Sequence, residues 1–420
     1  MNPSILCYSQ QTNAPYEVGK WPGFRIAAVS YTFDDGCANQ FAVAIPMFNE
    51  FNFKLTLFTI TDSIKDWTAL INAGLDGHEV ANHTASHINL GGLSVAAQDT
   101  QISTATALIE NHITGKKCIT MAYPFCAGGK DSLYQKRFVA VRSCQGSVEG
   151  ATPASIMHVS SIICGSQGGV KTAKNFKVMT ESAALQKGWI VYLLHGIDDD
   201  GGYSPISSVE LKGSLDYLST NSERFWVATF GDAARYVRER NCVSLTESAT
   251  TDNSISLLVS DTLDNEIFDL PVSIRRPLPS GWGSASVSQA GQPVPDTVIE
   301  INLVKYIMFD AIPDGGEVVI EKINTTSIDK KELQADAGSK NFNIQFYNNS
   351  LRFTLPRSCG KEVSLSIFDL NGKSIRVFNS PRINGNTGTV ELSNAGCNSG
   401  FYLVKLSDRK EVWVNKVFLY

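Results

Sequence analysis

Two adjacent carboxylates, Asp34 and Asp35, stand where the stretch Ser30-Tyr31-Thr32-Phe33 meets Gly36. Further along come His83-Thr84-Ala85-Ser86-His87 and, much later, Leu193-Leu194-His195-Gly196. Neutral imidazole and carboxylate are ordinary metal ligands. Two Asp, a pair of His four residues apart and a lone His suffice for a three-ligand metal site with an acid and a base beside it. Each part alone is weak. Asp-Asp-Gly is turn chemistry, and a histidine at the end of a buried strand is usually structural. The combination carries more, because the chain has only six histidines and three of them, His78, His83 and His87, fall within ten residues. The set points to a metal-dependent hydrolase.

The elements that must position these residues alternate between strand and helix from about residue 24 to 240. Arg25 to Phe33, Lys54 to Thr61, Cys118 to Phe125, Trp189 to Leu194 and Phe225 to Phe230 read as strands; Trp189 to Leu194 is near-continuously apolar, as a strand buried on both faces must be. Asn39 to Phe51, Ser94 to His112, Val209 to Leu218 and Ala233 to Arg240 read as helices, with Gly231-Asp232 capping the last. The stretch holding His83 and His87 would put both on one face if it were helical. Repeated strand–helix alternation predicts parallel strands, as a barrel or a doubly wound sheet. Asp34/Asp35, His83/His87, Pro124-Phe125 and His195 then lie at or just beyond strand C-termini, where such barrels gather their sites.

A chain of 420 residues has room for two or three domains, at roughly 100–200 residues each. After Cys242 the composition changes. Ser244 to Ser256 reads as a polar linker, Leu257 to Ile323 as short strands with turns at Pro279-Ser280-Gly281 and Pro313-Asp314-Gly315-Gly316, and Asn324 to Lys340 as a second polar stretch. The last segment has a hairpin signal, Val363 to Leu370 and Lys373 to Phe378 around Asn371-Gly372, then strands at Phe401 to Leu406 and Glu411 to Leu419. The expected boundaries are 1–243 for the catalytic domain, 257–325 for a β-sandwich module and 341–420 for a C-terminal β-sandwich module. Hydrophobic content of 43% and charged content of 18% are those of a globular protein, and a net charge of −5 offers no basic stripe for nucleic acid. No apolar run reaches the ~20 residues a membrane span needs. The first residues show no basic and apolar signal regions, so the protein is cytosolic or its leader has been removed. Nine cysteines show no CxxC spacing. Cys359 with Cys397, and Cys7 with Cys242, are candidate disulfides, and free thiols remain the alternative.

The ordered set Thr32-Phe33-Asp34-Asp35-Gly36, His83-Thr84-Ala85-Ser86-His87, Ala122-Tyr123-Pro124-Phe125 and Leu193-Leu194-His195 resembles the motif series of family 4 carbohydrate esterases, the NodB-type polysaccharide deacetylases. The resemblance covers residues 24–240. It implies an α/β fold, a distorted (β/α) barrel of the polysaccharide deacetylase type, followed by two all-β sandwich modules. It also implies a divalent metal ion, zinc with cobalt or nickel as alternatives, held by Asp35, His83 and His87. Asp34 would be the general base, His195 the general acid, and the backbone N–H of Phe125 an oxyanion donor. Tyr203, in the acidic loop Asp198 to Pro205, would stack on a sugar ring, with Tyr123 and Pro124 as further substrate contacts.

Two departures stand out. Many members carry an Arg where this chain has Ala122, leaving Asp34 without its usual partner; Arg142, from a neighbouring strand, is the candidate replacement. The family's Asp- and Trp-containing fourth motif is not clearly present, and His158 and Trp189 are poor substitutes. Trp226 reads as core and Trp282 as a residue exposed in the middle module. Phe368-Asp369-Leu370-Asn371-Gly372-Lys373, Ser399 to Lys405 and Lys416-Val417-Phe418 are similar to type IX secretion sorting domains, which implies export. The reading is therefore an extracellular or cell-surface, monomeric, metal-dependent deacetylase of an acetylated polysaccharide, most readily the O-acetyl groups of xylan. The alternatives are an N-deacetylase of chitin or peptidoglycan N-acetylglucosamine, and a non-catalytic carbohydrate-binding surface protein.

Overall fold

The computed structural model describes residues 16–323 and, beyond them, 343–347, 350–355, 363–368, 374–379, 381–384, 387–392, 400–408 and 412–419. The chain divides into two compact units, Met1–Ile323 and Asn324–Tyr420. Strand β1 (Glu17–Val18) is followed by eight strands: β2 (Ala27–Asp34), β3 (Thr56–Thr59), β4 (Glu79–Asn82), β5 (Thr120–Ala122), β6 (Ala140–Arg142), β7 (Ile162–Ile163), β8 (Trp189–Leu194) and β9 (Phe225–Val227). These eight are parallel, in the order β6-β5-β4-β3-β2-β8-β7, with β9 paired to the start of β2. A bridge from Arg142 to Val159, just ahead of β7, closes the ring. The result is a distorted barrel: seven strands go round, and β9 fills the space beside the lower half of β2 that β3 does not reach.

Alternation along β2 decides which side chains meet. Ala27, Val29, Tyr31 and Phe33 pack outward with helix residues such as Phe48, Ile102 and Phe176. Ala28, Ser30, Thr32 and Asp34 share the opposite face, as period-2 geometry requires, and Ala28 clusters there with Phe58, Ala81, Ala122 and Ala140. The surrounding helices are α1 (Ile45–Glu50), α2 (Thr68–Leu75), α3 (Val95–His112), α4 (Asp131–Tyr134), α5 (Ala173–Gln186), α6 (Ser208–Thr220) and α7 (Phe230–Cys242). Ser94 caps α3, and Thr172 with Asn175 forms a capping box on α5. Thr229 caps α7 by accepting from the Asp232 N–H, so that helix starts before the expected Gly231-Asp232.

The polar stretch from Ser244 is not a linker. Ser244–Thr250 (β10) pairs antiparallel with Ser254–Ser260 (β11), because Leu245 aligns with Val259 and both are buried while the Ser and Thr side chains alternate outward. The remaining strands are β12 (Val272–Pro277), β13 (Ala285–Gln289), β14 (Gln292–Pro293), β15 (Asp296–Ile301), β16 (Val304–Ala311) and β17 (Val318–Lys322). They form two sheets, β1-β12-β16-β15 and β10-β11-β17-β13-β14. Their core is continuous with barrel residues Trp189, Phe230 and Tyr236, so the sandwich packs against the barrel as one body. Trp282 is buried, its Nε1 donating to the Asp252 carbonyl, rather than exposed.

In the second unit, two antiparallel four-stranded sheets enclose Leu351, Phe353, Leu365, Ile367, Val404 and Leu406. The expected hairpin pairs Ser364–Phe368 with Ser374–Asn379, and Gly400–Ser407 pairs with Val412–Leu419. Cys359, Cys397 and Cys7 lie outside the described residues; Cys242 is disulfide-bonded. A disulfide that the spacing gave no hint of joins Cys126 to Cys144.

Candidate metal centre and active site

The strand ends carry the chemistry. Asp34 is the last residue of β2; Asp35 turns away at φ 72° and Gly36 follows at φ 72°. His83 follows directly on β4 and His195 on β8. The His83–His87 stretch is a loop rather than a helix: Thr84 and His87 both have left-handed φ, 66° and 54°, which folds the chain back and leaves the imidazole rings 4.9 Å apart. Such backbone is costly for non-glycine residues and tends to persist at functional sites. The Asn82 side chain holds it, accepting from the Thr84 N–H and donating to the Ile102 carbonyl and Thr106.

Donor atoms of Asp35, His83 and His87 all lie within 4.8 Å of one another. His83 Nε2 is 3.6 Å and His87 Nε2 3.5 Å from Asp35 Oδ1. The opposite nitrogen of His83 meets the Ala122 carbonyl at 2.9 Å, which fixes Nδ1 as the protonated atom and leaves Nε2 a free lone pair. Burial pushes the His83 imidazole below its ordinary value, towards the neutral form a metal needs. The Asp35 Oδ1 and Asp34 Oδ1 atoms are buried without a hydrogen-bond partner, a cost that native sites rarely bear unless something else is meant to bind. This donor set fits a divalent ion.

Asp34 is buried beside the centre, its Oδ2 3.7 Å from His83 Nε2. Its partner comes from β6: Arg142 Nη2 donates to Asp34 Oδ2 at 2.5 Å and Nη1 to Thr32 Oγ1 at 3.2 Å. The guanidinium also lies over the Phe58 ring, 5.0 Å from its centre. Burial pushes the Asp34 carboxyl up, but Arg142, His83 and His195 together outweigh it and hold it below its ordinary value. Ala122 is the register partner of Arg142 on the adjacent strand, so its small side chain leaves room for the guanidinium.

His195 places Nε2 3.9 Å from Asp34 Oδ2 and from Asp35 Oδ2. Its Nδ1 is buried and has no hydrogen-bond partner among the described residues. Tyr203 is 53% exposed and meets the His195 ring edge-on at 5.0 Å. Its loop is organised by Asp200, whose carboxylate accepts from the N–H groups of Asn39, Ile197 and Gly202. On the other side Phe125 is 64% exposed with its ring 4.5 Å from that of His87.

Tyr123 is a correction to the expected substrate contacts: it is buried, packs on Tyr134 and His158, and donates its hydroxyl to the Met157 carbonyl. Pro124 is buried as well. His78 belongs to the barrel wall, accepting from the Leu55 N–H through Nδ1. His158 pairs with Asp131, and Trp189 donates to Ser30; neither joins the Asp35, His83 and His87 cluster. One contributor escaped the sequence reading. Gln40 is buried and its Nε2 donates to the carbonyls of both Asp34 and His195, tying the two strand ends together. No motif marks it; a polar side chain between Asn39 and Phe41 looks like any exposed helical position.

A closed parallel barrel with a His-His-Asp donor set at its C-terminal rim is the arrangement of a metal-dependent hydrolase. Residues 24–143 match the polysaccharide deacetylase family model. Residues 338–419 match the secretion system C-terminal sorting domain. A gellan lyase from Bacillus sp is 27% identical over 331 residues, which are 74% of this chain. The chain spans only 13% of that relative's length. Among solved structures, a family 4 acetyl xylan esterase from Clostridium thermocellum, in complex with a cobalt ion, is 18% identical, covering 49% of this chain and 89% of its own with a TM-score of 0.37. A peptidoglycan deacetylase from Bacillus subtilis is 18% identical, covering 51% and 92% with a TM-score of 0.34. No helix among the described residues is long and apolar enough to cross a membrane.

Proposed function

We propose that this protein is an exported hydrolase that removes acetyl groups from a polysaccharide, with O-acetyl esters as its substrates and acetylated xylan as the first candidate. The convergence of Asp35, His83 and His87 beside the Arg142-bound Asp34 carries the reading. A divalent ion, zinc by the preference of imidazole and carboxylate donors, would supply Lewis acidity to a water and to the acetyl carbonyl.

The chain's own residues supply the rest. Asp34 is the base: Arg142 occupies Oδ2, and Oδ1 is free to take the proton of the attacking water. The Phe125 N–H is assigned to the developing oxyanion. His195 carries a proton at Nε2 and delivers it to the leaving oxygen. Tyr203 and Phe125 offer exposed aromatic faces at the opening for a sugar ring.

The unpartnered Nδ1 of His195 favours esters. An amide nitrogen must be protonated before it leaves, whereas an alkoxide is a far better leaving group. A histidine with no carboxylate behind it is therefore a better match to the ester. The match to a gellan lyase agrees with a polysaccharide substrate. The sorting-domain match and the Cys126–Cys144 disulfide support an extracellular or cell-surface location, with residues 341–420 as the sorting module.

Acetate release from acetylated xylan, acetylated gellan, chitin oligosaccharides and peptidoglycan, with and without a chelator, tests the reading. Chelator-sensitive release from xylan is expected. Faster release from the N-acetyl substrates would overturn the ester assignment. Absence of release from all of them, with metal bound and fold intact, would leave a carbohydrate-binding protein.

A further inference from the structure

The turn that carries Phe125 has an unusual backbone. Phe125 and Cys126, neither of them glycine, are consecutive and both left-handed, at φ 54° and 58°. Two backbone hydrogen bonds close the turn, from the Cys126 N–H to the Tyr123 carbonyl and from the Ala127 N–H to the Pro124 carbonyl. The Phe125 side chain is largely exposed and adds little burial to hold this conformation. What else holds it is covalent: Cys126 is bonded to Cys144, with the Cα atoms 5.7 Å apart.

The far end of this bond is firmly rooted. Cys144 lies two residues beyond Arg142, and Ser143 between them donates its N–H to the Val159 carbonyl at the strand that closes the barrel. One bond thus couples the turn presenting the Phe125 N–H to the strand end presenting Arg142 to Asp34. We propose that the Cys126–Cys144 disulfide is a positioning element for the reaction, holding the Phe125 peptide in the left-handed turn from which its N–H reaches the oxyanion. This rests on the deacetylase reading, with Phe125 as oxyanion donor.

Glycine adopts left-handed backbone without a steric penalty, which gives a test specific to positioning. Two double variants remove the bond: Cys126→Ser/Cys144→Ser leaves an L-residue at the strained position, and Cys126→Gly/Cys144→Ser relieves it. The serine pair should lose about tenfold in kcat on acetylated xylan, part of the roughly 10²–10³ that a whole oxyanion donor is worth, with KM within about twofold. The glycine pair should regain most of that loss. Hydrogen exchange of the segment 123–128, followed by mass spectrometry on metal-free protein, should quicken in the serine pair and less in the glycine pair, with the segment 83–87 unchanged. Full kcat in the serine pair, or an equal loss in both pairs, would overturn the proposal. If the wild-type protein releases no acetate, the deacetylase reading fails instead; unchanged exchange at 123–128 would then overturn the clamp as well.

Discussion

Arg142 Nη2 lies 2.5 Å from Asp34 Oδ2, and both groups are buried. The pair is made across the barrel interior, from β6 to β2, and it stands one strand away from the position at which the sequence lacks a basic residue, Ala122. Ala122 and Arg142 are partners in the β5–β6 register, so both side chains stand at the same level of the barrel.

This relationship predicts a rescue. Arg142→Ala leaves a buried carboxylate without its cation, and breaking such a pair costs about 3–5 kcal/mol. The melting temperature should fall by about 10 °C, at roughly 2–4 °C per kcal/mol in a body of this size, and kcat should drop with it. Adding Ala122→Arg to that variant should restore part of both, because the new guanidinium enters at the same height. Thermal melts and acetate-release kinetics on the two variants decide it; an unrescued double variant would mean that the β6 origin of the charge is essential.

Metal removal should act through three residues only. Asp35→Ala, His83→Ala and His87→Ala should each weaken binding of zinc, cobalt or nickel at least tenfold by calorimetry, with His83 the most severe because it is buried and held through Ala122. His78→Ala should leave metal affinity unchanged while lowering stability, since its ring accepts from the Leu55 N–H and is buried. An affinity loss in His78→Ala equal to that in His83→Ala would refute the assignment.

His195→Gln should retain the metal and lower kcat by about 10²–10⁴, the usual worth of a positioned acid. The loss should be smaller on O-acetyl than on N-acetyl substrates, because an alkoxide can leave with less help. Metal content by mass spectrometry and rates on paired substrates test both halves.

Stability should respond to pH through Glu239. It lies in α7 beneath the sandwich, where burial pushes its carboxyl from the ordinary 4.5 up to about 8, against the opposing pull of the Leu270 N–H and Arg235. With a folded value above the unfolded one, the native state binds the extra proton. The group's stabilising contribution is therefore complete below pH 4.5 and is lost as pH rises through about 8. Glu239→Gln, which mimics the protonated form, should melt at a temperature that declines less than the wild type between pH 5 and 8. Parallel melting curves for the two proteins across that window would contradict the prediction.

The sequence by itself determined the local parts. Alternation of apolar runs and amphipathic segments marked β2, β8, α3 and α6, because period-2 and period-3.6 burial leave their pattern in the chain. The strand-end positions of Asp34, Asp35, Pro124 and His195 could be read for the same reason. Short elements such as β6 and β7, of three and two residues, were not legible, since so few residues carry no period. Strand β10 was hidden by its Ser and Thr content, which signals a linker until a partner strand buries Leu245.

Only the tertiary structure decided which of these residues meet. His78 and His83 are alike in sequence, yet one ends in the wall and the other at the donor cluster, because they sit at opposite ends of the same short strand. Arg142 lies 108 positions from Asp34 and Gln40 lies 155 from His195; barrel closure alone makes them neighbours. The adjacent Asp34 and Asp35 could be seen from the start, but their separation into a buried, Arg-bound carboxylate and one that faces His83 and His87 came from a left-handed turn and a strand far away in the chain.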